Sequence, residues 1–119
     1  MIRESEVKSL ISNEIPALAI DLSLVNKKND LYKCIECLTD HTKELIREHK
    51  VSEVEQCFQT AYELLNQGTS LVKLAVVSIY VNSVSRLLEC SFCPEQSVRR
   101  EFLKNFGKEY HQLIYARNP

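Results

Sequence analysis

The chain has 119 residues, with 15 lysines and arginines against 16 aspartates and glutamates, for a formal net charge of -1. A chain of that length makes a single domain, residues 1–119, and buries roughly two-thirds of its unfolded surface, so its core needs neither disulfide nor metal. The near-balanced charge excludes a global attraction to nucleic acid or to an anionic membrane, leaving only local contacts of that kind.

Val7, Leu10 and Ile11 predict a short amphipathic helix that stops near Glu14, because Pro16 disfavours helical geometry at Ile15. Pro16 then fits the first turn of a brief second piece through Leu22. The polar stretch VNKKND, residues 25–30, is a connection, and Asn29 or Asp30 can cap the next helix. In that helix Leu31, Ile35, Leu38, Thr42, Leu45 and Ile46 recur at three- and four-residue steps up to about Lys50. Ser52 to Glu55 fit a capping box that restarts the chain after a sharp corner. Val54, Cys57, Phe58, Ala61, Tyr62, Leu64 and Leu65 form the next stripe, which Gly68 is expected to end in a left-handed conformation.

Thr69 or Ser70 caps the segment that follows, LVKLAVVSIYVNSVSRLL, residues 71–88. At about 100° per residue its apolar side chains spread over an arc of about 220°, so the helix must be surrounded. Ser78, Asn82, Ser85, Arg86 and Glu89 make one narrow polar stripe. Its valines suit a strand as well, but its length without a turn signal and the lack of a second strand-like segment favour a helix. The Val-rich run from Leu71 to Val81 carries Lys73 and is too short to span a bilayer. Pro94 opens the last helix, with Val98, Phe102, Phe106, Tyr110 and Leu113 as its stripe. Gly107 inside it implies close helix contact or a kink. Short connections between long helices predict an all-α antiparallel bundle of about five helices, with a small stacked array as the alternative.

Ala61-Tyr62-Glu63-Leu64-Leu65, Gly68, Val72-Lys73, Ala75-Val76, Tyr80-Val81, Ser83 and Ser85 together resemble the central signature of a family of small bacterial all-helical proteins known only as a domain of unknown function. The resemblance implies the helical fold and transfers no catalytic residue.

Five cysteines, an odd number, and an amino terminus without an apolar signal region imply reduced thiols in the cytoplasm. Cys34/Cys37 and Cys90/Cys93 are two C-x-x-C pairs, and four thiolates could complete a tetrahedral zinc shell. Helical spacing also sets Cys34, Cys37 and His41 along one edge, with Glu44 or Glu48 nearby. Against metal, the first pair lies within a helix and has no glycine knuckle; cysteines at 34, 57 and 90 fill a core equally well. Cys93 before Pro94, at a helix entrance, could carry a lowered pKa and Cys90 could resolve its disulfides, but the βαβ setting of thioredoxin-type motifs is missing. His41, His49 and His111 have no partner at triad spacing, and neither Gly68 nor Gly107 belongs to a phosphate-binding loop.

These features define a non-catalytic protein-interaction or regulatory module with no cofactor, no metal, no membrane contact and no general affinity for nucleic acid. A small metal-binding or thiol-redox protein is the alternative. The docking surface is expected on the last helix, where Leu103, Tyr110 and Ile114 widen the apolar stripe beside Arg100, Lys104 and Tyr115. Either that flank is open to a protein partner or a second copy, as a symmetric homodimer, or the first helix folds back over it. Lys108 and His111 extend the basic stripe, which suits an anionic partner or plain solvation.

Overall fold

A computed structural model describes residues 1–25, 30–89 and 95–117, and among these the regular structure is helical. In chain order α1 spans Glu4–Glu14, a 3-10 turn Pro16–Leu18 leads into α2 (Ala19–Ser23), and α3 (Leu31–Arg47) and α4 (Val51–Gln67) follow. The continuous helix α5 runs Ser70–Glu89, and α6 spans Gln96–Arg117. The fold is all-α as expected, and the sixth helix is the short α2.

Local chemistry accounts for most boundaries. The Arg3 N–H donates to the Glu6 carboxylate at 2.9 Å at the start of α1, and the Ile15 N–H closes its last turn on the Ile11 carbonyl at 2.8 Å. Asp30 caps α3 by accepting from the Lys33 N–H at 3.2 Å. Leu31, Ile35, Leu38, Thr42, Leu45 and Ile46 are all buried, as their spacing requires. Helix α3 ends earlier than Lys50. His49 takes a left-handed φ of 60°, the Lys50 N–H reaches back to the Leu45 carbonyl at 3.0 Å and the His49 N–H to that of Ile46 at 3.1 Å, the pair of bonds of a Schellman ending. Because that ending takes Lys50 out of helical geometry, α4 begins at Val51 with Lys50 at its cap. The capping box expected at Ser52 therefore does not form, and Ser52 lies inside the first turn.

Gly68 also departs from expectation. Its φ of -77° and ψ of 163° are extended, so it is not a left-handed ending. Its lack of a side chain is a packing requirement: a Cβ there would collide with the Leu64 carbonyl and the Val72 side chain. The corner is clipped from outside by residues of the amino terminus. The Ile2 N–H donates to the Gln67 carbonyl at 2.7 Å, and the Thr69 N–H returns a bond to the Ile2 carbonyl at 2.9 Å. Thr69 then caps α5 through its hydroxyl.

Helix α5 is central, packed on α3, α4 and α6. Its buried residues Val72, Val76, Tyr80, Val84 and Leu88 follow one another at steps of four. In a regular α-helix such steps drift by about 40° each and would wind the stripe around the axis. Val76–Val81 instead forms a π-helical turn, whose extra residue returns Val84, Ser85 and Leu88 to the side that Val72 and Ala75 began. The arc read from the sequence was too wide because it assumed a uniform pitch: of its members, Val77, Ile79 and Leu87 are only half-buried. Ser85, assigned to the polar stripe, is buried and bonds the Asn82 carbonyl at 2.8 Å.

By length and composition α5 could cross a membrane, which the shorter Val-rich run alone did not suggest. Its buried side is engaged with protein. Inside the core the Thr42 hydroxyl donates to the Leu38 carbonyl at 2.8 Å, so the contact of 2.9 Å to Tyr80 has the phenol as donor. Helix α6 packs Val98, Phe102 and Phe106 onto α4 and α5, with Phe58 edge-on to Phe102 at 5.7 Å and to Phe106 at 6.0 Å between centroids. Gly107 makes no close contact: α6 continues through it, and nothing lies within 4 Å of where its Cβ would stand.

Candidate functional site

Two families of candidates were legible in the chain, the thiols and the outer face of α6. The thiols on α3 and α4 are placed by the same stripes that build the core. Cys34 and Cys57 are buried and Cys37 is half-buried, all with free sulfhydryls. Burial pushes the Cys34 thiol above its ordinary pKa, neighbouring Cys37 adds to this, and Lys8 only partly opposes it. Burial also raises Cys37, with Asp21 and Asp40 contributing. Cys57 is pushed up to about 11 by burial, partly offset by the adjacent Thr42 hydroxyl. These three sulfurs are therefore neutral thiols near neutral pH, and the thiol is a weaker nucleophile than the thiolate.

Cys34, Cys37 and His41 do not join Glu44 or Glu48 in a group able to hold a metal; among the described residues no cluster of three or more His, Cys, Asp or Glu is so placed. Cys90, Cys93 and Pro94, with the pairing and helix-entrance readings attached to them, lie outside the described residues. His49 Nδ1 meets Glu95 Oε1 at 2.8 Å, tying the α3–α4 corner to the start of α6. His41 is half-buried, and His111 is exposed with its ring 6.0 Å from that of Tyr110.

The outer face of α6 is more informative. Leu103 is 47 % exposed and forms a ridge between two depressions. The first, about 110 Å³, lies between α5 and α6 and is lined by Ser85, Leu88, Glu89, Arg99, Phe102, Leu103 and Tyr110. Tyr110 closes one end by donating its hydroxyl to Glu89 at 2.8 Å. The second, about 460 Å³, lies where the end of α4 and the start of α5 approach α6, and includes Tyr62, Lys73, Lys104, Asn105 and Lys108.

Of the residues singled out from sequence, Leu103, Tyr110 and Lys104 line these depressions. Arg100, Ile114 and Tyr115 stand on the same helix outside both: Arg100 and Tyr115 are exposed and Ile114 is half-buried. The first helix packs on α2, α3 and α4, so the covering of this flank by α1 is not how it folds.

Tyr62, Asn66, Lys73 and Asn105 were missed. Lys73, a lone charge opening an otherwise apolar helix, was the available signal. Glycine 107, in a helix that offers no packing reason for it, was another.

The family model described as a domain of unknown function, DUF7674, matches residues 8–118. The chain belongs to that family. The match bears out the resemblance drawn from residues 61–85 and extends it over nearly the whole chain. No curated protein and no solved structure matches it.

Proposed function

We propose that this DUF7674 chain is a non-catalytic protein-interaction module that docks on the outer face of α6, with a second copy of itself as the first partner to test. The observation that carries this reading is the coexistence, side by side, of a projecting aliphatic ridge and a cleft of its own size. At about 110 Å³ the cleft is far below the several hundred Å³ of a typical small-molecule site, yet it suits one inserted side chain. Its walls Leu88, Phe102 and Tyr110 are apolar and aromatic, and Glu89, Arg99 and Ser85 supply a polar rim. A surface carrying both knob and hole is self-complementary, which is what a two-fold interface requires: Leu103 of each copy enters the cleft of the other.

Light scattering coupled to gel filtration tests this. A dimer is expected at tens of micromolar, with Leu103→Asp giving a folded monomer. A wild-type monomer at that concentration removes the homodimer, and a Leu103→Asp chain that remains dimeric removes this face.

The reading takes the protein as bacterial and cytoplasmic, where the free thiols of Cys34, Cys37 and Cys57 suit a reducing compartment. The burial that raises the Cys34 and Cys37 thiols weighs for a structural role over the metal or thiol-redox alternative.

A further inference from the structure

The second depression has features that docking through Leu103 does not use. It is bounded by three helices: Tyr62, Leu65 and Asn66 come from the end of α4, Lys73 from the first turn of α5, and Lys104, Asn105, Gly107, Lys108 and Glu109 from α6. Three lysines and one glutamate thus line it, in a chain whose net charge is -1. None of the three lysines is in an ion pair with another described residue. A concave wall bearing one sign of charge concentrates field and attracts an oppositely charged ligand.

Two further observations point to an occupant. The Asn105 carboxamide nitrogen is shut off from water and has no hydrogen-bond partner among the described residues, although buried donors are nearly always satisfied. Closed off as it stands, the amide would reach an acceptor oxygen in the depression by turning its side chain outward. Gly107 carries the entropic penalty of glycine within a helix while no protein atom occupies the place of its Cβ. A bare backbone there keeps the wall open for something other than protein. Tyr62 adds a half-exposed ring, held edge-on to Phe106 at 6.5 Å between centroids, and Leu65 and Leu103 add apolar surface. The volume of about 460 Å³ falls within the range of small-molecule sites.

We infer that this depression binds a phosphate-bearing small molecule, its anionic oxygens held by Lys73, Lys104, Lys108 and the Asn105 amide and its organic part resting on Tyr62. Lysine supplies point charges for such oxygens, and an aromatic face takes a planar or sugar group without demanding a particular one.

The test is calorimetric titration of the purified chain with ADP, inorganic pyrophosphate and adenosine in low-salt buffer. ADP is expected to bind, more weakly as salt rises; pyrophosphate is expected to bind less tightly than ADP, and adenosine not measurably. Lys73→Glu and Lys108→Glu should each weaken ADP by about tenfold or more. Neither residue belongs to the docking surface proposed above, so a dimer that persists in these variants separates the failure of one reading from the failure of the other.

Gly107→Leu guards against a variant that merely misfolds. It fills the open wall and should raise the melting temperature of the free chain while abolishing the shift that ADP produces. Absence of binding by both ADP and pyrophosphate at millimolar concentration overturns the proposal. So does an ADP affinity unchanged in Lys73→Glu and Lys108→Glu, or a full ADP response in a stably folded Gly107→Leu chain.

Discussion

The inner side of α5 and the outer side of α6 both carry apolar side chains and have opposite surroundings. On α5, Val76, Tyr80, Val81 and Val84 are enclosed by α3, α4 and α6, and the phenol of Tyr80 finds its acceptor in Thr42. On α6 the inner residues Val98, Phe102 and Phe106 are equally enclosed, but Leu103 and Tyr115 stand out into solvent between basic residues. Enclosure on α5 serves stability, since each buried atom there contributes through transfer from water and close packing. Exposure on α6 leaves apolar area whose burial requires something outside the monomer.

The sharpest way to break this contrast is to place the same charge on both sides. Val81→Asp buries an unpaired carboxylate and should cost more than about 4 kcal/mol, unfolding or aggregating the chain. Leu103→Asp should leave the folded monomer within about 0.5 kcal/mol of the wild type. Chemical denaturation followed by circular dichroism measures both. A folded Val81→Asp chain of normal stability would show that α5 is not the centre of the core.

The two glycines sharpen the same comparison with opposite signs. Gly68→Ala drives a methyl group into the Leu64 carbonyl and Val72, where neighbouring elements are fixed, and should cost about 2 kcal/mol. Gly107→Ala meets open space on a regular helix and should gain about 1 kcal/mol. Thermal unfolding of the pair decides the matter. Loss of stability in Gly107→Ala would mean that the wall of the depression is closed in solution.

The smallest effect concerns α1 and α4, which meet through carboxyl groups. Glu63 is raised above its ordinary pKa first by its hydrogen bond to Glu14 and then by burial, while Glu14 also accepts from Thr60 at 2.9 Å. A raised carboxyl contributes stability that is fully present below its unfolded pKa and is lost as pH rises through the folded one. Glu63→Gln keeps a donor toward Glu14 at every pH. It should stabilise the chain at pH 7 by a few tenths of a kcal/mol, a solvent-screened amount, and give no gain at pH 4. Equal melting shifts at the two pH values would contradict the assignment.

Much of what depends on a single regular helix was readable in advance. The stripes of α3 and of α6, the stop before Pro16 and the caps at Asp30 and Thr69 follow from periodicity and from side chains that bond their own backbone. Features set by distant residues were not. Nothing near Ser52 reveals that His49 will adopt a left-handed conformation and displace the cap, and nothing near Gly68 announces that Ile2 will bond across it. The lysine-lined depression draws on residues from 62 to 109, so its members share no spacing that a motif could record.

The π turn of α5 makes the second half of the chain a matter of phase. Residues 82–89 face the core only because the wider turn at Val76–Val81 takes up one surplus position before they begin. Remove that position, for example the exposed Ser78, and a regular helix would return Val84, Ser85 and Leu88 to nearly the same side; wind all six residues at regular pitch instead, and they would be carried about 100° around the axis, away from α3 and α6. No side chain in that stretch would have changed, yet its hydrophobic message would be delivered to the wrong address. The wider pitch of this turn is thus as much a part of the core as the valines it contains: a single-residue deletion within Val76–Val81 keeps residues 82–89 in phase, whereas one in the regular turns on either side shifts them.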